Sequence, residues 1–127
     1  ETDNAPVHIV CKIMKNVLAS AAEAEVGAIF LNCQQGEILR TTLHELGHIQ
    51  PSTPVITDNT TANGIFNKEI KQRRTKAMDM RFNWILDRST QKHFNVLWKP
   101  GKINLADYFT KHHSTVHHKR MRNTYVT

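Results

Sequence analysis

The sequence is poor in the features that would place it outside the ordinary globular class. Its two cysteines, Cys11 and Cys33, are too few for a disulfide framework. We interpret both as small buried hydrophobic residues of a protein in a reducing compartment, because neither has closely spaced partners for a metal. No apolar run approaches the roughly 20 residues that cross a bilayer, and the start does not resemble a signal peptide. We therefore expect an intracellular protein without membrane contact.

Acidic residues are also in deficit. The 127 residues include 17 Lys and Arg against 11 Asp and Glu, a net charge of +6. Hydrophobic residues make up 39%, which suits one globular domain with a modest core. The excess of basic residues is concentrated in two segments. Residues 68–76 include five basic residues and one acidic residue, and residues 111–122 include four basic residues, four histidines and no acid. Such clusters favour a polyanionic partner such as nucleic acid.

Hydrophobic periodicity and turn residues predict alternating strands and helices. We expect a long helix from an N-cap at Ser20 to a C-terminal cap at Gly47, because Glu23 stands at capping-box spacing and prolines follow. The other predicted elements are strands at 7–17, 55–57 and 94–98, and helices at 61–69, 78–86 and 105–111. This order predicts an α/β sheet covered by helices. We divide the chain into a domain over 1–113 and a basic, histidine-containing, solvated tail over 114–127.

The apolar residues of two predicted helices define the faces expected to be buried, and in the helix over 78–86 they are Met78, Phe82, Ile85 and Leu86. In the long helix they are Ala24, Ala28, Leu31, Ile38, Leu39, Leu43 and Leu46. The aromatic residues Trp84 and Trp98 lie on patterned apolar faces, so we expect both in the core rather than on a base-stacking surface.

Three acidic residues stand at the ends of separate predicted elements. Glu25 lies where the first strand gives way to the long helix, Asp58 follows the apolar pair of the second strand, and Asp107 opens the last helix. Carboxylates in such positions can converge, and converging carboxylates bind hard divalent cations through oxygen. They are the ligands required for two-metal phosphoryl chemistry.

Four segments in this order resemble the ribonuclease H domain at the C-terminal end of copia-type retrotransposon Pol polyproteins. Residues 20–28 are similar to a Ser-Ser-x-Glu-Ala-Glu-aromatic motif, and 57–62 to an Asp-Asn-x-x-Ala motif. Residues 74–82 resemble an Arg-Thr-Lys-His-Ile-Asp-Ile-Arg-Tyr segment, and 104–111 a Leu-Ala-Asp-x-x-Thr-Lys ending. The resemblance spans about residues 7–113. It implies a ribonuclease H-like mixed sheet flanked by helices.

The resemblance also implies a site and a reaction. Glu25, Asp58 and Asp107 match the family's catalytic carboxylates, which would hold two Mg²⁺ ions, with Mn²⁺ as a substitute, and hydrolyse the RNA strand of an RNA–DNA hybrid. Of the two glutamates at the start of the helix, Glu25 is the expected catalytic residue and Glu23 is the expected capping-box residue. The implied partners are the hybrid and the reverse transcriptase portion of the same polyprotein, in a cytoplasmic virus-like particle or the nucleus. The residues expected to contact nucleic acid are Arg73, Arg74, Lys76, Lys102 and Lys111.

Two departures from the family pattern qualify this expectation. An earlier strand with a first catalytic aspartate has no counterpart, and Asp3, in a polar turn, does not replace it. The loop 99–103 carries no histidine that could shuttle protons. We therefore expect a truncated domain lacking its first strand or strands, with impaired cleavage. The alternative is a catalytically inactive remnant that keeps the fold and nucleic-acid binding.

A third interpretation is a zinc metalloprotease. Residues 44–48 satisfy the His-Glu-x-x-His pattern, in which two histidines one helical turn apart bind zinc and the glutamate activates water. No third histidine follows at the extended spacing, and Pro51 ends the helix soon after. On the ribonuclease H interpretation, these residues are simply the frayed end of the long helix.

Overall fold

A computed structural model of the protein describes residues 6–15, 20–66 and 76–126, apart from the side chains of residues 65 and 76–79. The elements in chain order are α1 (Ala21–Glu45), β1 (Thr53–Thr57), α2 (Thr60–Phe66), α3 (Lys76–Thr90), β2 (Phe94–Trp98), a 3₁₀ turn (Gly101–Ile103), α4 (Asp107–Thr110) and α5 (Thr115–Tyr125). The described residues thus form five α-helices and a two-stranded parallel sheet. None of the described helices combines the length and apolar character needed to cross a bilayer.

The α/β class predicted from the sequence is confirmed. The strand predicted over 94–98 coincides with β2, and β1 begins two residues before the predicted strand. The strand predicted over 7–17 is wrong where the chain is described, since residues 6–15 form no strand there and Val7 and Ile13 are 88% and 92% exposed. An alternating pattern predicts a strand only where a neighbouring strand is available to pair with it.

The chain divides into two compact units. The larger comprises Asn16–Asn104 and contains α1, α2, α3 and the sheet. The smaller joins Glu1–Lys15 to Leu105–Thr127 and contains α4 and α5.

The sheet of the larger unit is a parallel pair. Thr53 lies opposite Phe94, and the register continues to Thr57 opposite Trp98. Two backbone hydrogen bonds extend the pairing beyond both ends, from the Thr53 amide to the His93 carbonyl and from the Lys99 amide to the Thr57 carbonyl, both 2.9 Å. Because the strands are parallel, both carboxyl ends lie at one edge of the sheet, and α2 and α3 lie in the connection between them.

Helix α1 begins and ends with side-chain and glycine caps. The Ser20 hydroxyl accepts a hydrogen bond from the Glu23 amide at 3.2 Å, which confirms the predicted N-cap. At the other end Gly47 has φ +89°, and the amides of Gly47 and His48 donate to the carbonyls of His44 and Leu43. This is the Schellman arrangement, in which a glycine in the left-handed region satisfies the last carbonyls of a helix.

The buried face of α1 differs from the one predicted. Its buried hydrophobic residues are Ala22, Val26, Ile29 and Cys33, all in the first half of the helix. The residues expected to be buried in the second half are exposed, including Ile38 at 61% and Leu43 at 39%. The helix itself was predicted correctly. The spacing of apolar residues, however, does not determine which side of a helix packs against the sheet.

The middle of α1 holds the amino ends of both strands. The Glu37 carboxylate lies 2.8 Å from Nδ1 of His93, the residue before β2. The Arg40 guanidinium donates to the Thr53 hydroxyl at 2.6 Å and to the Pro51 carbonyl. The later part of α1 therefore lies beside the start of β1. The start of α1 lies at the carboxyl end of β1, so the helix and the strand are antiparallel.

One hydrophobic core lies between α1, the sheet and the helices α2 and α3. The buried members beyond α1 are Val55, Ala62, Phe66, Phe82, Ile85, Phe94 and Val96. Trp84 packs against this cluster as predicted, with its ring 5.4 Å from and nearly perpendicular to that of Phe30. Trp98 is 43% exposed instead of buried.

Helix α5 was not predicted from the sequence. The Ser114 hydroxyl caps its start by accepting from the His117 amide at 3.4 Å. The helix has no buried residue, and it lacks an apolar face. Its Tyr125 ring stacks on the ring of Tyr108 in α4. A helix without an apolar stripe gives no periodic signal, and the capping serine is a weak signal alone.

The two cysteines differ in environment, contrary to the expectation that both are buried. Cys33 is 1% exposed in the core, whereas Cys11 is exposed. Burial, with a smaller contribution from Glu37, raises the pKa of the Cys33 thiol to about 12. Since the thiolate is the reactive form, Cys33 is chemically protected.

We expect one thiol per folded chain to react with iodoacetamide at pH 8 and two after unfolding in urea. The Cys11→Ser variant should then show no labelling when folded, as mass spectrometry would reveal. Labelling of Cys33 in the folded chain at the rate of Cys11 would contradict its burial.

Replacement Ser20→Ala should lower the free energy of unfolding by about 1 kcal/mol, because the Glu23 amide loses its acceptor. Urea denaturation monitored by circular dichroism measures the change. The control is Ser52→Ala, at an exposed loop position, which should be close to neutral. Equal effects of the two substitutions would exclude a capping role for Ser20.

Candidate functional site

The candidate site lies at the carboxyl edge of the parallel pair. Asp58 directly follows β1, and Lys99 to Gly101 follow β2. In parallel α/β sheets this edge collects ligand-binding residues, because the loops that leave the strands are free to carry polar side chains. The described part of this edge is polar and charged, in contrast to the core beneath it.

Glu25 reaches this edge from α1. Its Oε1 accepts a hydrogen bond of 2.7 Å from the Thr57 hydroxyl, although 32 positions separate the two residues. The Thr57 hydroxyl also accepts from the Asn59 amide at 3.1 Å, and Thr57 is completely buried. A buried hydroxyl with both its donor and acceptor capacity in use is firmly oriented. The Glu25 carboxylate is therefore held against the residue that immediately precedes Asp58.

Asp58 is half-buried at the end of β1. Its backbone carbonyl accepts from the Trp98 indole at 3.1 Å, which joins the ends of the two strands. A Cβ placed on Gly101 would lie 2.8 Å from Oδ2 of Asp58. The absence of a side chain at Gly101 therefore leaves room for this carboxylate, which would have to shift if a larger residue stood there.

Asn59 has a structural role beside the two acids. Its Oδ1 accepts from the Ala62 amide at 3.0 Å, which makes it the N-cap of α2. The cap turns the chain sharply after Asp58 and so fixes the direction in which the loop leaves the strand.

Asp107, the third predicted carboxylate, belongs to the smaller unit, whereas Glu25 and Asp58 belong to the larger one. Within its unit it opens α4 and accepts from the Lys111 ammonium at 2.5 Å, an (i, i+4) ion pair. Within the larger unit, the start of α1 with Glu25 and the residue Asp58 both lie at the carboxyl end of β1. Lys111, which the sequence predicts to contact nucleic acid, is the ion-pair partner of Asp107.

The other predicted nucleic-acid contacts are placed only in part. Lys102 is exposed in the 3₁₀ turn directly after Gly101, close in sequence to the carboxylate edge. Lys76 is the first residue of α3, but its side chain falls outside the described atoms, and Arg73 and Arg74 fall outside the described residues. Lys99, which sequence reasoning passed over, is exposed at the end of β2.

The zinc-protease interpretation is wrong on geometry. A His-Glu-x-x-His site needs both histidines on consecutive turns of one helix. Helix α1 ends at Glu45, and the left-handed Gly47 turns the chain before His48. The two histidines therefore do not share a helical face. Among the described residues, no three His, Cys, Asp or Glu side chains are grouped so as to hold a metal ion.

Sequence reasoning missed Thr57, Gly101 and Trp98 as members of the site. Thr57 stands two positions after Val55, so both residues lie on the same face of the strand. The alternating pattern could therefore have predicted the burial of Thr57. Its bond to Glu25 and the approach of Gly101 to Asp58 depend on packing between distant segments and left no local signal.

Comparison with known protein families finds none that matches the chain, and comparison with solved structures likewise finds no match.

The substitution Thr57→Val should lower the free energy of unfolding by about 1–3 kcal/mol, because the isosteric side chain neither donates to Glu25 nor accepts from Asn59. Urea denaturation provides the measurement. Thr61→Val, at an exposed position of α2, is the matched control and should change stability by less than about 0.5 kcal/mol. A neutral Thr57→Val would show that the buried hydroxyl does not hold Glu25 in place.

Proposed function

We propose that the carboxyl edge of the parallel pair is the divalent-cation site of a ribonuclease H-type domain that hydrolyses the RNA strand of RNA–DNA hybrids. The observation that carries the proposal is the hydrogen bond from the buried Thr57 hydroxyl to Glu25. It fixes one predicted catalytic carboxylate, that of Glu25, against the last residue of β1, which is next in sequence to Asp58. The four-segment resemblance to copia-type ribonuclease H domains supplies the reaction and its place in retroelement reverse transcription.

The donor chemistry of the edge fits Mg²⁺. Glu25 and Asp58 offer carboxylate oxygens, the ligands that hard cations prefer. Gly101, without a side chain, lets the backbone approach the Asp58 carboxylate closely. The family resemblance implies Asp107 as a further ligand, and in the structure this residue forms an ion pair with Lys111 within the smaller unit. A bound divalent cation would supply activation of water and stabilisation of the leaving oxygen.

The residues of the chain itself would orient the site and the substrate. Thr57 keeps the Glu25 carboxylate in place, and Asn59 fixes the loop that carries Asp58. Lys99 and Lys102, exposed on the segment that follows β2, are suited to phosphate contacts. Recognition of RNA would depend on its 2′-hydroxyls in the wide, shallow groove of the hybrid.

A second candidate function is hybrid binding without cleavage. The ion pair that engages Asp107, a predicted ligand, with Lys111 favours it. Both candidate functions use the same cation site, but only the first includes cleavage of the RNA strand.

We expect Mn²⁺ to broaden the backbone NMR signals of Asn59 and Gly101 selectively, because both amides flank the Asp58 carboxylate. The isosteric substitutions Glu25→Gln and Asp58→Asn should each weaken this binding by roughly tenfold or more. The glutamine side chain of the first variant keeps a carbonyl acceptor for Thr57, so the loss of charge is tested without removing the hydrogen bond.

Two controls match these variants in chemistry. Glu45→Gln changes the exposed last residue of the same helix, and Asp87→Asn changes an exposed aspartate of α3. Both should leave Mn²⁺ binding unchanged. Binding that survives in Asp58→Asn, or that falls equally in Asp87→Asn, would place the cation elsewhere and sink the proposal.

Cleavage of a labelled RNA–DNA hybrid then separates the two candidates. Cleavage dependent on Mg²⁺ and lost in Asp58→Asn identifies the enzyme. Cation and hybrid binding with no cleavage identifies the binding domain.

A further inference from the structure

A groove of about 490 Å³ in the smaller unit differs in composition from the carboxylate edge of the larger unit. Its walls include Tyr108, Phe109 and Tyr125, together with His118, Lys119 and Arg122. Its size lies within the range of about 300–1,000 Å³ that is typical of ligand pockets. The groove combines aromatic surface with basic side chains, which the proposed nuclease chemistry does not use.

The rings of the groove are fixed by contacts among themselves. Tyr108 and Tyr125 stack with centroids 4.6 Å apart, and Phe109 meets Tyr125 edge-on at 5.0 Å. The Tyr125 hydroxyl donates to the Leu105 carbonyl at 2.6 Å, and the Tyr108 hydroxyl lies 2.8 Å from Nδ1 of His118. Rings held in this way lose little freedom when a ligand binds, so the surface is preorganised.

The charge of the smaller unit favours an anion. Its described residues include six Lys and Arg, namely Lys12, Lys15, Lys111, Lys119, Arg120 and Arg122, and a single acid, Asp107. Lys111 is paired with that acid. Lys119 and Arg122 are exposed, three positions apart on α5, and both line the groove. Residues at this spacing lie on the same side of a helix.

We propose that this groove binds single-stranded nucleic acid, with a base against Phe109 and Tyr125 and neighbouring phosphates on Lys119 and Arg122. Aromatic side chains beside a basic surface are the shared feature of single-strand binding sites, where base stacking and phosphate contacts act together. A duplex hides the faces of its bases, so aromatic walls favour a single strand. An acidic peptide would use the positive charge but not the flat aromatic surface. This inference stands independently of the nuclease proposal.

Fluorescence anisotropy with a labelled 12-nucleotide single strand tests both the base stacking and the phosphate contacts. An abasic strand with the same phosphates should bind roughly tenfold more weakly, because it cannot stack. Lys119→Gln and Arg122→Gln should each weaken binding and reduce the slope of log K against log salt by about 0.7, the value for one phosphate contact on a single strand.

The matched control is Arg120→Gln, which removes the same charge from the same helix at an exposed position outside the groove, where the guanidinium contacts His117. It should leave affinity and slope nearly unchanged. Circular dichroism of each variant verifies that the helices persist. Equal affinity for the abasic strand, equal losses in Arg120→Gln and Arg122→Gln, or equally effective competition by polyglutamate of the same charge would overturn the proposal.

Discussion

The buried hydroxyl of Thr57 is the point on which the arrangement of the larger unit depends. It donates to Glu25 of α1 and accepts from the amide of Asn59, the residue that caps α2. A polar group with no solvent exposure requires partners, since leaving it unpaired costs about as much as several buried methyl groups contribute. One side chain thus joins the start of α1, the end of β1 and the residue that caps α2, and the same contact fixes the Glu25 carboxylate at the strand end.

Helix α1 is anchored to β1 at both ends of the strand by a pair of threonines. Arg40 donates to Thr53 at the start of the strand, and Glu25 accepts from Thr57 at its end. Between these polar contacts, α1 buries Val26, Ile29 and Cys33 against the core. Hydrophobic burial supplies the non-directional attraction, while the two polar contacts select one orientation and one register of the helix on the sheet. A functional carboxylate placed at such a contact is held by the fold itself.

The two units differ in how they are built and in the chemistry they present. The larger unit has an aliphatic and aromatic core beneath a polar strand edge, which suits hard-cation chemistry. The smaller unit has no buried residue in α4 or α5, and its cohesion comes from stacked rings and hydroxyl hydrogen bonds. Ring clusters of this kind leave aromatic edges and faces near solvent, beside an excess of positive charge. The sequence segments that supply the two surfaces overlap little, so the surfaces can be altered separately.

The sequence by itself determined the local features, because these depend on neighbouring residues. Ser20 as an N-cap, Gly47 as the end of α1 and the strand at Phe94–Trp98 all follow from capping, φ preference and β propensity within a few positions. Only the tertiary structure decided which face of α1 is buried, that residues 6–15 form no strand, and that Thr57 joins Glu25 at the end of β1. It also decided that Gly101 makes room for Asp58 and that rings distant in sequence hold α5. These outcomes depend on contacts between segments far apart in the chain, which the spacing of residues along a single segment does not encode.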